Sequence, residues 1–269
     1  MTLQPRSRCY RISLPDNEKR YTEIIKVSFF AAAGICLAAL LVAAMVLMSG
    51  FGLGTLLTPL FVLFYDIKIA VLLVAVVHFS NNLFKLGLFF RHLDWALLKR
   101  FGVVSVGGAL VGSVLQAWLE SQTLKIGLGV LLVILGAVEF LPPRFSWSLP
   151  KRLDPVGGFL SGLLGGVLGN QGAIRSAYLL NYSLSKEAFV ATATIIACLI
   201  DATRIPIYLL QYYDGIAVAW PYLIATILSA FLGTLIGKRL LNIITVGAFR
   251  RVVAGSVVVV GLAMAMALI

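Results

Sequence analysis

The chain has 269 residues, 60% of them hydrophobic and 12% charged, with mean hydropathy +0.99. Globular domains carry roughly 25% charged residues, so this balance excludes a sizeable soluble domain and describes a polytopic membrane protein whose first partner is the lipid bilayer. The formal charge of +11 does not signal nucleic acid, because the basic residues are scattered singly and in pairs through short connections, as positive-inside anchoring requires.

Residues 1–23 form a polar basic tail containing Arg6, Arg8, Arg11, Lys19 and Arg20. The apolar run that follows, Ile24 to Met48, is too long for a signal-peptide core and reads as a retained span with a cytoplasmic tail. Further apolar segments are Thr55–Phe64, Ile69–Phe90, Phe101–Leu119, Leu124–Leu141, Val156–Leu168, Ala173–Leu180, Ala188–Leu210, Ile216–Leu235 and Val246–Ile269. The fold expected from them is all-α, with about 7 to 9 membrane segments. Glycine clusters interrupt two regions: "SGFGLGTLLTP" at Gly50, Gly52 and Gly54, and "GGVLGNQGAIR" at Gly165, Gly166, Gly169 and Gly172. Such clusters favour broken or re-entrant helices.

The two interrupted regions begin two similar halves. Gly54 aligns with Gly172, Lys68 with Lys186 and Ala70 with Ala188; after one residue of slippage Asn82 aligns with Asp201 and Lys85 with Arg204. Gly112 aligns further on with Gly233. The chain therefore divides into a first membrane repeat at 24–141, a proline-rich linker at 142–154 and a second repeat at 155–269. Basic clusters follow one span (Arg91, Lys99, Arg100), occupy the linker (Arg144, Lys151, Arg152) and surround a late connection (Lys238, Arg239, Arg250, Arg251). All three fall on the cytoplasmic side if 156–180 enters and returns on one face, which makes the repeats inverted.

Non-helical backbone at membrane depth survives where protein buries it or a wet cavity adjoins it. Half-helices starting at Thr55 and at Ala173, just beyond Gly172, would turn free N–H groups and positive dipole ends toward an anion. Asn170 and Gln171 add amide donors, and Arg175 adds a planar fork suited to an oxyanion. Arg175 would alternatively snorkel to head groups or lock the hairpin to carbonyls. "HFSNNLFK" places His78, Asn81, Asn82 and Lys85 on one helical face, and the matching span carries Thr194, Asp201 and Arg204, with Pro206 weakening the helix beyond. Asp201 and Arg204 either neutralise each other or serve the site. His78 and Asp201 are the protonatable candidates within spans, apart from Glu139 near the linker, and His78 also fits a packing role.

Cys9, Cys36 and Cys198 form neither a disulfide framework nor a zinc pattern, and "GFGLG" lacks the lysine of a phosphate loop. Neither metal nor cofactor is expected, no oligomeric state is assigned, and no catalytic motif argues for an enzyme.

The early "GFGLGTLLTPLF", the polar-striped span, and the second glycine element before "SKEAFVATATIIACLIDATRIPIYLL" resemble the sulfite exporter TauE/SafE family, the four-toluene sulfonate uptake permeases. The resemblance runs from about Ile24 to Leu268. It implies an inner-membrane permease for sulfite, sulfonates or related sulfur-containing anions, coupled to the proton gradient and working by alternating access between two halves. The second copy departs from the family pattern, because Ala177 stands where a proline matching Pro59 is usual. On this reading Asn170, Gln171, Arg175, Gly172, Gly54, Thr55, Asn81, Asn82 and Lys85 hold a small oxyanion, while Asp201, Arg204 and His78 couple it. Two other readings stay open: a cation- or proton-linked permease using Asp201, Asp66 and His78, and a membrane enzyme whose Arg175 and Arg204 grip a lipid phosphate.

Overall fold

The computed structural model describes residues 29–49, 52–140, 150–240 and 246–268. The basic tail and most of the linker lie outside them. Among the described residues every regular element is helical, with no strand. In chain order the helices are α1 (Phe29–Ser49), α2 (Leu53–Val62), α3 (Ile67–Phe89), α4 (Trp95–Trp118, with a π-helical stretch at Leu98–Gly102), α5 (Ser121–Glu139), α6 (Asp154–Leu168), α7 (Gly172–Leu179), α8 (Lys186–Tyr213), α9 (Ala219–Arg239) and α10 (Val246–Ala265). Each apolar segment marked in the sequence is thus a helix. Among the described residues, five stretches are long and apolar enough to cross a membrane: Ile67–His92, Trp95–Trp118, Ser121–Val138, Lys186–Tyr213 and Ala219–Arg239. The chain is a multi-pass membrane protein, and side chains such as Val103, Val114 and Leu228 present their apolar surface outward.

Local chemistry sets the ends of these helices. Asp66 caps α3 by accepting from the Lys68 N–H at 2.9 Å, and Asp94 caps α4 by accepting from the Leu97 N–H at 2.9 Å. α6 opens with Pro155 in its first turn and ends at Gly169, whose φ of 75° is left-handed. The Gly169 and Asn170 N–H groups fold back to the Gly165 and Leu164 carbonyls, so the break is a glycine-terminated helix end. α8 stays helical through Pro206, and the reversal into α9 falls later, at Tyr212, where φ −131° and ψ 30° leave the helical region.

Glycine lets the helices cross with backbones touching. A Cβ on Gly158 or Gly162 of α6 would strike the Phe101 or Ser105 carbonyl of α4, and one on Gly233 or Gly237 of α9 would strike the Leu40 or Ala44 carbonyl of α1. α4 with α6, and α9 with α1, therefore run parallel. By the same reasoning α5 and α10 run antiparallel, since Gly129 approaches Gly261 and Ala265 while Gly136 approaches Ala254. α8 descends α3 from Asp201 beside His78, and Gly215, just beyond its end, lies beside Ile69; α9 climbs back until Thr234 reaches Asn81. The hairpin α6–α7 returns on itself, because Gly157 near the start of α6 lies against the ring of Tyr178 near the end of α7.

These directions gather the described basic residues. Lys238 lies over the Phe89 ring, and Lys151 over the Tyr182 ring that bonds Asp154. Arg91, Lys99, Arg100, Lys151, Arg152, Lys238 and Arg239 thus share one end of the bundle. α1 starts at the other end, where Ile35 meets Tyr65 and Ala219.

Candidate functional site

The two glycine breaks meet in the interior. Gly52 and Gly172 are so close that a Cβ on Gly172 would lie 2.9 Å from the Gly52 Cα, and a Cβ on Gly54 would lie 2.7 Å from the Gly169 carbonyl oxygen. Only glycine allows that approach. Thr55 donates its hydroxyl to Asn170 Oδ1 at 2.9 Å across the junction, tying α2 to the start of α7. Gly54, Gly172, Thr55 and Asn170 therefore come together, and their first visible role is to hold the breaks in register.

Beside the junction lies a buried polar chain. His78 Nδ1 is 2.6 Å from Asp201 Oδ2. With that nitrogen donating to the carboxylate, Nε2 accepts from the Asn82 amide at 3.2 Å, and Asn82 Oδ1 accepts from Lys85 Nζ at 3.2 Å. Gln171 Nε2 donates to Asp201 Oδ1 at 3.1 Å, linking α7 into the chain, and Ser161 fixes the Gln171 carbonyl at 2.9 Å. Asp201 is fully buried, and His78, Asn82 and Lys85 are nearly so.

Arg204 completes the chain on the side of α6. Its Nε donates to Asp201 Oδ1 at 2.9 Å, Nη2 makes an ion contact with the same oxygen at 2.8 Å, and Nη1 donates to the Gly165 carbonyl at 2.6 Å. Tyr208 donates to the Gly166 carbonyl. These carbonyls belong to the last turn of α6, where the helix offers unpaired acceptors and the negative end of its dipole. Sequence spacing marks Arg204 but not Tyr208 or Ser161, although continuing the Asp201, Arg204 stripe one further turn reaches Tyr208.

Arg175 is different. It is 6% exposed on α7, yet its Nε and Nη1 have no hydrogen-bond partner among the described residues. The Lys85 ammonium is near enough to repel it, and no carboxylate forms a salt bridge to either cation among the described residues. Asn170 Nδ2 is likewise unpaired. Asn81 stands apart from its expected companions: it accepts from Thr234 on α9 at 2.8 Å, facing α9 rather than Arg175. The Arg175 side chain is packed inside the protein rather than extended along its surface.

At the basic end, Tyr182 donates to Asp154 at the start of α6, closing the mouth of the α6–α7 hairpin. Burial first, and then the bond to Asp154, push its hydroxyl up to about 12, so the hydroxyl keeps its proton.

An all-helical multi-pass bundle with paired helix breaks and buried cations at their junction has the build of a membrane transporter. The family described as Sulfite exporter TauE/SafE matches residues 35–264, nearly the whole chain, and the protein belongs to that family. No curated protein and no solved structure matches the chain.

Proposed function

We propose that the protein is a permease for a small sulfur oxyanion, sulfite or a sulfonate, held where α7 begins. The observation that carries this reading is Arg175, buried with two free donors beside Lys85. Burying an unpaired charge at membrane depth costs several kcal/mol on the order of the insertion scales. A site that tolerates it is organised for an anion that brings the missing acceptors. The first-turn N–H groups of α7 and the Asn170 amide add donors of the same sense.

Two inverted copies supply the moving parts. Support comes from the reciprocal pairing: α4 of the first half packs on α6, the first helix of the second, while α9 packs on α1. α3 and α8, and α5 and α10, occupy equivalent places and run antiparallel, as a two-fold axis lying across the helices demands. On this pairing Gly233 answers to Gly108 and Gly237 to Gly112, one turn away from the alignment read in the sequence. Its physical reason is that each glycine pair meets the carbonyls of an opposing first helix.

With the basic end in the cytoplasm, α6–α7 enters and returns from that side, and α1–α2 does so from the other. The start of α1 then faces outward, against the expectation of a cytoplasmic tail. That expectation treated α1 as a full crossing, whereas α1 runs parallel to α9 and turns back at Gly52.

Coupling to protons falls to His78. The charged and polar groups facing it are Asp201 and Arg204 from α8, Gln171 from α7, and Asn82 and Lys85 from its own helix. A proton on Nε2 would meet the Asn82 amide N–H, so protonation turns that amide and takes Oδ1 away from Lys85. The proton site and the anion site thereby share one side chain.

The test is reconstitution. Purified protein in liposomes should move sulfite or a sulfonate faster under an imposed pH gradient, and Arg175→Ala and Asn82→Ala should lose transport while staying folded. Transport unchanged by both variants would sink the assignment, and movement of cations alone would favour the cation-linked reading through Asp201.

A further inference from the structure

The cluster around Arg175 has a definite charge balance. Lys85, Arg175 and Arg204 carry positive charge, Asp201 carries negative charge, and His78 is neutral while its Nε2 accepts from Asn82. Arg204 and Asp201 neutralise each other in direct contact. Two cations remain over: Lys85, whose hydrogen bond goes to a neutral amide, and Arg175, with Nε and Nη1 unpaired. Among the described residues no second carboxylate faces them. Both are more than nine-tenths buried, so solvent does not balance them.

We infer that the site selects a divalent oxyanion over a monovalent one, with the unpaired Arg175 donors binding its oxygens and the Lys85 ammonium answering the second negative charge. This rests on the anion-permease reading and sharpens it. A monovalent ion would leave one cation uncompensated in a low-dielectric interior, where an unbalanced charge is costly. A divalent ion removes both, and its own charge holds Lys85 in the ammonium form. The substrate class is thus the sulfite dianion, or a sulfonate bearing a second acidic group. A bare alkanesulfonate fits poorly.

Probes of fixed charge separate this from the parent reading. Sulfate and methanesulfonate have nearly the same shape and differ by one charge; ethane-1,2-disulfonate provides a second dianion. Full-length protein in detergent is titrated with each, and binding is read by calorimetry. Both dianions should bind about tenfold or more tighter than methanesulfonate, as one extra charge near a poorly screened cation implies. Lys85→Gln should shrink that gap, weakening both dianions far more than it weakens methanesulfonate, and Lys85→Arg should restore it. Equal binding of sulfate and methanesulfonate by the wild-type protein overturns the inference and leaves an anion permease standing. Binding of none of the three overturns the permease reading as well. If Lys85→Gln fails to fold, the wild-type comparison alone decides.

Discussion

Arg204 and Arg175 have the same side chain and are both buried, yet their surroundings are opposite. Arg204 is fully buried, donates to Asp201 and to the Gly165 carbonyl of α6, and holds Nη2 in ion contact with the same carboxylate. Arg175 sits at the start of α7 with donors to spare. Burial is therefore uninformative about role, whereas pairing with a carboxylate separates the two: Arg204 is in direct contact with Asp201, and Arg175 has no salt-bridge partner among the described residues. On the proposed reading the cation paired with a carboxylate holds the fold, and the one without such a partner takes the ligand.

The largest effect should come from breaking the member paired with Asp201. Arg204→Met leaves Asp201 with one cation fewer and strips the end of α6 of a donor, which should cost about 3–5 kcal/mol. Loss of the folded fraction on heating in detergent is the readout. Adding Asp201→Asn to Arg204→Met should recover part of that loss, because the uncompensated charge is then gone. Arg175→Met should leave the melting midpoint nearly unmoved and abolish anion binding. If Arg175→Met melts as early as Arg204→Met, the division between the two arginines fails.

A subtler change sharpens the same division. Arg175→Lys keeps the charge and loses the two-pronged fork. Charge-assisted hydrogen bonds contribute about 1.5–3 kcal/mol, so transport should weaken roughly 10- to 100-fold with folding intact. Transport at the wild-type rate would mean that Arg175 acts only as a point charge.

Much of this was legible in the sequence, and for a physical reason. Hydropathy marks every helix because lipid tolerates only apolar runs, and glycine clusters mark both breaks because only glycine permits the turn at Gly169 and the approach of Gly54 to its carbonyl. The polar stripe of His78, Asn82 and Lys85 was visible at helical spacing. What spacing could not reveal was partnership across the chain. Asp201 lies 2.6 Å from His78 only because α8 runs antiparallel to α3, and Asn81, one residue from Asn82, turns toward Thr234 instead. A helix places neighbours in sequence on different faces, so adjacent amides take different jobs. The direction of α1 was hidden for a similar reason: its length suits a full crossing, and only its packing on α9 shows that it runs parallel to that helix.

The glycines at the junction offer a test of smaller size. Gly54→Ala puts a methyl group 2.7 Å from the Gly169 carbonyl oxygen, which cannot rotate away, so α2 and the end of α6 must part. Overpacking of this kind costs about 1–3 kcal/mol. Gly87→Ala is the matched control, because its Cβ meets nothing within 4 Å on the exposed face of α3, and alanine there favours the helix. A lower melting midpoint for the first and an equal or higher one for the second would confirm that the junction, and not glycine content in general, sets the tolerance.

The smallest effect should appear at the mouth of the α6–α7 hairpin. Tyr182→Phe removes the hydroxyl that bonds Asp154 but keeps the ring under Lys151. One hydrogen bond of this kind contributes about 1 kcal/mol, so the melting midpoint should fall only slightly. Transport is the more telling readout, because the hydroxyl ties the chain leaving α7 to the start of α6. If that tie holds the hairpin shut on the basic side, Tyr182→Phe should raise the exchange of anion across liposomes with no gradient applied. An unchanged exchange rate with a slightly lower midpoint would make the bond a fastening of the fold and leave closure to the touching breaks at Gly52 and Gly172.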